Sequence, residues 1–158
     1  MDRAMRRKDK EITDPKEIEK ILKREKICRV AFNGSPFPYV VPLCYGYEDG
    51  AIYFHGFGGG KKIDCIKDDP HVCFEIDCDV KIISDEDPCE WTVHYRSVIG
   101  YGRATILEDP EEKKKGLDII VKQYAGRALP FPEKALEAVC VVKVEIESVK
   151  GRKNGYER

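Results

Sequence analysis

The stretch that decides the fold is YVVPLCYGYEDGAIYFHGFGGGKKID, residues 39–64. Its first part, 39–47, is rich in aromatic and β-branched residues, and 51–55 has the same character, so both segments are predicted strands. The Glu-Asp-Gly between them is a tight-turn signal. This half of the stretch therefore predicts an antiparallel hairpin.

Alternation along the second predicted strand assigns its side chains to two faces. Ile52 and Phe54 share one face, whereas Tyr53 and His55 share the other, because successive side chains of a strand point in opposite directions. If the apolar pair forms the core face, His55 looks outward at the end of the strand.

The stretch then continues through glycines into two lysines. GFGGG lets main-chain N–H groups approach an anion without obstruction. Lys61 and Lys62 begin the predicted helix KKIDCIKDD, whose N-terminus attracts anions. The combination indicates a phosphate site, and a flexible surface hairpin with solvated lysines is the alternative. Neither a Walker P-loop nor a Rossmann fingerprint is present, because G-x-x-x-x-G-K-[ST] and a βαβ unit are both missing.

Periodic patterns extend over the rest of the chain. Further strands are predicted at 27–32, 71–77, 91–107 and 138–151. Helices are predicted at 13–26, 61–69 and 109–125, where Thr13 or Asp14 before Pro15, and Asp109 before Pro110, are the start signals of the first and the third. Six strands, three helices and no βαβ alternation predict a mainly β protein, a six-stranded antiparallel barrel with peripheral helices. A single domain over 1–158 is expected, and the charged termini, about 1–10 and 152–158, are candidates for disorder.

Composition excludes several partners and locations. Lys+Arg number 28 and Asp+Glu 29, so the net charge of -1 offers no electrostatic attraction to nucleic acid or to an anionic membrane. No apolar run reaches the ~18 residues of a membrane span, and the charged N-terminal segment lacks a signal-peptide pattern. A cytoplasmic location is expected.

The seven cysteines do not predict a metal site. No C-x-x-C occurs, and Cys73 and Cys78 form an isolated C-x4-C without a second pair. Several cysteines lie inside apolar runs, where they act as small buried hydrophobes. Reduced thiols and no bound metal are expected.

Several short motifs occur in an order that resembles a known family. They are V-P-L, then Y-F-H, G-x-K, a proline eight residues after the second lysine, Y-R-S-V-x-x-x-G-R-A, and the late GRKN. Each motif is moderately specific, whereas their order and spacing over residues 6–155 are strongly so. The chain resembles the FMN-binding split-barrel superfamily of pyridoxamine 5'-phosphate oxidase, and within it the nitroimidazole-resistance (Nim) group.

The resemblance implies a set of cofactor-binding residues. They are Val41, Pro42, Leu43, His55, Gly56, Gly60, Lys61, Lys62, Arg96, Ser97 and Val98. Lys61 and Lys62 match the basic pair that grips the FMN phosphate. Gly56 departs from the family pattern, because relatives carry Ser or Thr there to bond the phosphate. This departure implies weaker FMN binding or another cofactor such as FAD.

The matched strands imply contacts with the flavin ring. The V-P-L strand at 41–43 would line the isoalloxazine ring with its backbone, and Ser97 stands where the oxidase has glutamine. Arg96 beside a flavin would stabilise the anionic reduced ring, and a surface or interface ion pair is the alternative. His55 matches a Nim histidine beside the flavin and is the candidate catalytic residue, either donating a proton or orienting a substrate. A structural role for His55 is the alternative.

The resemblance also implies function and assembly. It indicates an FMN-dependent oxidoreductase that reduces small nitroaromatics such as 5-nitroimidazoles, as a homodimer with the flavin between its subunits. FAD is a second cofactor candidate, and haem, bound by His55 or His71, is a third. A haem-binding or haem-degrading split barrel and a non-catalytic flavin-binding protein are the alternatives. No nicotinamide-binding motif identifies the electron donor.

Overall fold

Eight strands and four α-helices make up residues 3–156, the part of the chain that the computed structural model describes. The strands are β1 Glu11–Ile12, β2 Ile27–Phe32, β3 Tyr39–Cys44, β4 Gly46–Glu48, β5 Ala51–Phe57, β6 His71–Ile83, β7 Thr92–Leu107 and β8 Val139–Asn154. The helices are α1 Pro15–Arg24, α2 Lys61–Asp68, α3 Pro110–Ala125 and α4 Glu133–Ala138, with 3-10 turns at Lys8–Lys10 and Pro88–Glu90.

The strands form one antiparallel sheet in the order β3-β2-β6-β7-β8-β5-β4, and β1 pairs with β8. β7 and β8 have 16 residues each and pair along most of their length at the centre of this sheet. The prediction of a mainly β split barrel is confirmed, with eight strands rather than six. The predicted strand 39–47 divides at Tyr45, whose buried hydroxyl donates to the Leu22 carbonyl at 2.7 Å.

The inner face of the sheet holds the main core. Ile52 and Phe54 of β5 pack there with Phe32, Phe74 and the apolar side of α1. The α1 helix begins as its sequence predicts, with the Asp14 carboxylate accepting a hydrogen bond from the Lys16 N–H at 2.9 Å. The predicted assignment of Ile52 and Phe54 to the core face is confirmed.

The outer face, opposite this core, is partly covered by α3. Tyr53, Leu107 and Val141 project from it and pack with Leu117 and Ile120 of α3 in a second apolar cluster. Alternation along β5 predicts that Tyr53 faces away from the core, and the structure adds α3 as its cover. Over β3 and β7 the same face leaves Val40, Ile99 and Tyr101 exposed.

The two ends of the chain lie beside each other in the sheet. β1 pairs with residues 151–152 of β8, and β8 runs to Asn154, whose side-chain oxygen accepts a hydrogen bond from the Lys10 ammonium. These bonds hold residues 8–10 beside residues 152–154, and the disorder expected at the termini stays a prediction.

Two further expectations concern disorder at the terminal residues and the absence of a membrane span. The predicted disorder at residues 1–2 and 157–158 lies outside the described residues. Within 3–156, no helix is both long and apolar enough to span a membrane.

Gly100 of β7 allows the closest approach in the core, which yields a stability prediction. A Cβ at this position would overlap the Phe74 ring, which is packed inside the core and cannot move aside. Gly100→Ala is expected to lower the free energy of unfolding by about 1–3 kcal/mol through overpacking. Urea unfolding followed by circular dichroism measures this. Gly58→Ala is the matched control, since its Cβ would meet nothing within 4 Å, and equal losses in the two variants would contradict the packing argument.

Candidate functional site

The glycine–lysine stretch forms a cradle at the end of β5. Gly59 and Gly60 have φ values of +92° and +94°, in the left-handed region that favours glycine, and Gly60 caps α2 without a side chain. Side chains added to Gly58, Gly59 or Gly60 would meet no atom within 4 Å, so their backbone is open to solvent. The N–H groups at the start of α2 are therefore accessible to a ligand.

Both lysines of the pair turn back over the sheet. The Lys61 ammonium lies 4.8 Å from the centroid of the Tyr39 ring on β3. The Lys62 ammonium lies 3.3 Å from the position that a Cβ on Gly56 would occupy. The structure thus brings together Gly56, Gly60, Lys61 and Lys62, as predicted from the sequence, and adds Tyr39.

The charges of this cradle are uncompensated. Among residues 3–156, neither Lys61 nor Lys62 forms an ion pair. Other basic side chains do form ion pairs with carboxylates, namely Arg7, Arg24, Arg96 and Lys153. Two ammonium groups and a helix N-terminus attract the same kind of ligand, an anion. A phosphate, with several acceptor oxygens, fits this set of donors.

The β3 segment 41–43 lies beside the cradle at the edge of the sheet. Val41 and Leu43 pack against the inner core, while Pro42 lies on the outer face opposite Arg29 of β2. β3 is the terminal strand of the sheet path, so one of its edges carries main-chain groups without a strand partner. This edge is suited to the backbone contacts with a ring that the resemblance implies.

His55 is exposed, but its side chain does not project toward the lysines. Gly56 faces Lys62, and His55, its neighbour on β5, lies on the opposite face, paired with Val141 of β8. A ligand held by the lysines would have to reach around the edge of β5, or come from another subunit, to contact this imidazole.

The segment 96–98 of β7 is divided between the two faces. Val98 is fully buried in the core. Arg96 is held by Asp79 at 2.8 Å and Glu17 at 3.5 Å, and its guanidinium stacks 4.2 Å from the centroid of the Tyr156 ring. Of the three predicted residues, Ser97 is the one on the outer face.

The environment of Arg96 favours the ion-pair alternative over a role at a flavin. Asp79 also accepts from Arg24 at 3.1 Å. Burial opposes ionisation of Asp79, but hydrogen bonds from Arg24 and Arg96 lower the pKa of this carboxyl overall. The Arg96 charge is thus engaged within its own chain.

The outer face also carries charged residues that the sequence motifs do not identify. Arg29 bonds Asp77 at 2.6 Å and lies 3.4 Å from Glu75. Burial and the nearby Asp77 raise the pKa of Glu75, although Arg29 acts in the other direction. Alternation within β2 and β6 predicts that these side chains face outward, but only the strand register shows that they meet.

A large cavity lies away from the predicted site residues. It has a volume of about 1040 Å³ and lies between the N-terminal segment and the end of β8. Its lining residues include His94, Lys153 and Tyr156. Two ion pairs line it, Lys153 with Glu17 at 3.6 Å and Arg7 with Asp9 at 2.6 Å. It contains none of the predicted site residues. In the described part of the chain, no group of three His, Cys, Asp or Glu side chains is placed to hold a metal ion.

The sequence match extends over nearly all of the region just described. Residues 14–153 match the family model for pyridoxamine 5'-phosphate oxidase. The chain belongs to this family. The matched region contains every predicted site residue from Val41 to Val98. Among curated proteins, no relative matches the sequence.

Solved structures show the same fold. A candidate 5-nitroimidazole antibiotic resistance protein from Bacteroides thetaiotaomicron has 29% identity and a TM-score of 0.81, over 90% of this chain and 86% of that one. An FAD-binding protein from Mesorhizobium loti has 25% identity and a TM-score of 0.65, over 90% and 96% of the two chains. A flavocytochrome from Azotobacter vinelandii, at 20% identity, a TM-score of 0.81 and coverages of 96% and 72%, resembles this oxidase-family chain in fold alone.

Proposed function

We propose that this member of the pyridoxamine 5'-phosphate oxidase family binds FMN and acts as a flavin-dependent oxidoreductase on small nitroaromatics such as 5-nitroimidazoles. The observation that carries the proposal is the convergence of two unpaired lysine ammoniums with the start of α2. The substrate class is supported by the 29% identity to the candidate nitroimidazole-resistance protein.

The cradle fits the phosphate end of a flavin. Lys61 and Lys62 would bind the phosphate oxygens, the first N–H groups of α2 would donate to them, and Gly56 leaves room beside Lys62. The ring would lie along the β3 edge at 41–43. When bound, the flavin supplies the electron-transfer chemistry, and the protein supplies anchoring, orientation and shielding from water.

FAD is the second cofactor candidate, because Gly56 lacks the hydroxyl that relatives use and the Mesorhizobium loti protein binds FAD. Denaturing the purified protein and chromatographing the released cofactor separates FMN from FAD. Haem is less well supported. His71 Nδ1 is 2.7 Å from Asp69, His55 is exposed, and neither lines the large cavity described above. A Soret band in the absorption spectrum would favour haem over flavin.

The lysine pair provides the direct test of the phosphate site. Lys61→Ala/Lys62→Ala is expected to weaken FMN binding by roughly a hundredfold or more, since charge-assisted contacts to phosphate contribute about 1.5–3 kcal/mol each. Quenching of flavin fluorescence during titration of the apoprotein measures the dissociation constant. Lys67→Ala, in the last turn of α2, is the matched control. Unchanged affinity in the double variant would place the phosphate elsewhere.

His55 is proposed to position or protonate the nitro substrate. His55→Ala should leave folding and FMN affinity intact but slow the reoxidation of chemically reduced protein by a nitroimidazole. A loss of about 10²–10⁴-fold is expected for a general acid, and a smaller loss for positioning alone. Anaerobic stopped-flow measurement at the flavin band follows the reaction, with His71→Ala as control. A rate equal to wild type would show that His55 neither positions nor protonates the substrate.

We further propose that the protein is a homodimer with the flavin at the subunit interface. In a single chain, the uncovered part of the outer face exposes Val40 by 63%, Ile99 by 43% and Tyr101 by 49%. Apolar side chains grouped on one face are typical of an interaction surface. Light scattering of flavin-loaded protein should give close to twice 18.1 kDa. A monomer that retains flavin would overturn the dimer and leave flavin binding standing.

A further inference from the structure

A row of aromatic rings leads from the main core to the cradle. Phe54 of β5 and Phe32 of β2 are each 1% exposed, and their ring centroids lie 6.3 Å apart in an edge-to-face arrangement. Phe32 stacks on Tyr39 of β3, with 6.1 Å between the centroids and 29° between the planes. Tyr39 is the outermost of these rings, and the Lys61 ammonium lies 4.8 Å from its centroid. The row therefore ends at a cation of the cradle.

The Tyr39 ring is held in place by the strands and by the core. Tyr39 lies directly opposite Phe32 in the register of β2 and β3, and it packs against the core from the same face as Val41. Side chains directly opposite each other in an antiparallel pair contact one another closely. Lys61, by contrast, follows three glycines and is exposed. The ring is thus the fixed partner in the contact between Tyr39 and Lys61.

The position of Lys61 is electrostatically unfavourable by itself. Lys61 and Lys62 are the first two residues of α2. The N-terminus of a helix carries partial positive charge, which disfavours cations in the first turn, and the two ammoniums repel each other. A lysine side chain also loses rotamer entropy when it is held in one conformation. An attractive contact is therefore needed to keep the Lys61 ammonium over the sheet.

The Tyr39 ring supplies this contact without cancelling the charge of the lysine. The face of an aromatic ring attracts an ammonium through its quadrupole and carries no net charge. Arg96 is the contrast within this chain, because it lies over the Tyr156 ring and is also paired with Asp79 at 2.8 Å. Lys61 has the ring contact and, within residues 3–156, no carboxylate partner. Its charge is therefore available to an anion.

We propose that Tyr39 is a positioning residue of the phosphate cradle, which holds the Lys61 ammonium in place for the phosphate of the flavin. This inference rests on the proposed function and adds to the site a residue outside the glycine–lysine stretch. Lys62 is placed independently of Tyr39, because its ammonium lies beside Gly56 of β5. The two ammoniums are thus positioned by two different strands. A side chain that is ordered before binding loses less entropy when the ligand arrives.

The role assigned to Tyr39 is selective for the phosphate group. FMN ends in a phosphate, which an ordered ammonium attracts, whereas riboflavin has the same ring system and ends in a neutral hydroxyl. Tyr39 should therefore contribute to the affinity for FMN and not to the affinity for riboflavin. A residue that only supports the fold or the ring pocket would affect both ligands alike.

Tyr39→Leu tests this role, since it removes the ring and keeps an apolar side chain. The dissociation constant for FMN is expected to rise about threefold to tenfold, and that for riboflavin to stay unchanged. Fluorescence titration of the apoprotein measures both constants. Tyr47→Leu is the matched control, because Tyr47 of β4 is also a half-buried ring packed against the main core. Circular dichroism checks that each variant folds, and Tyr39→Met repeats the test if the leucine variant unfolds.

Tyr39→Phe should rescue FMN binding to within about twofold of wild type, because it retains the ring face that contacts the ammonium. The hydroxyls of Tyr45, Tyr124 and Tyr156 have hydrogen-bond partners within residues 3–156, whereas that of Tyr39 has none. The substitution therefore removes no hydrogen bond of the described chain.

A double-mutant cycle shows whether Tyr39 acts through Lys61. In a Lys61→Ala background, Tyr39→Leu should change the FMN dissociation constant by less than about twofold, because the contact is already lost. In a Lys62→Ala background, Tyr39→Leu should keep its full effect. Lys62 thus provides the matched background, since it is the neighbouring cation of the same cradle.

The outcomes separate this inference from the proposed function. Equal losses of FMN and riboflavin affinity in Tyr39→Leu would overturn the positioning role, and so would a full effect of Tyr39→Leu in the Lys61→Ala background. In both cases, tight FMN binding by the wild-type protein would leave the proposed function standing. A wild-type protein that binds FMN no more tightly than riboflavin would overturn the phosphate cradle itself, and this inference with it.

Discussion

The pairing of β7 with β8 is the constraint on which the rest of the structure depends. It runs from Tyr95–Asn154 to Leu107–Val141 and joins the two longest strands. A slip of β8 by one residue would exchange its two faces, removing Val144 from the core and placing the Arg152 charge in it. Burial on the inner face therefore holds the register, and the register determines what the outer face presents.

The outer face is too large for the helices that the chain supplies. α3, with 16 residues, is ~24 Å long and covers the sheet near Tyr53 and Leu107. The remaining area over β2, β6 and β7 combines the exposed Ile99 and Tyr101 with a charged cluster in which Arg29 of β2 bonds Asp77 of β6. The exposed apolar side chains of this face support the proposed homodimer.

The cradle at α2 depends much less on distant parts of the chain. Its glycines, its lysines and the helix start are neighbours in sequence, so the local pattern was sufficient to identify it, and only Tyr39 had to be added. The residues at 96–98 show the contrary case. The motif predicts Arg96 beside a cofactor, which stays a prediction, and the structure adds that Asp79 of β6 and Glu17 of α1 engage its charge.

The sequence by itself determined the elements whose signals are local. These include β2 at 27–32, the hairpin that leads into β5, the starts of α1 and α3 at their Asp–Pro pairs, and the glycine–lysine cradle, because periodicity, turns and caps involve residues close together in the chain. Only the tertiary structure decided the pairing of β1 with β8, the cover over Tyr53, the ion pairs of Arg96, and the contact of Arg29 with Asp77 on the outer face. Each of these joins residues far apart in sequence, and strand register and packing bring such residues together without leaving a local pattern.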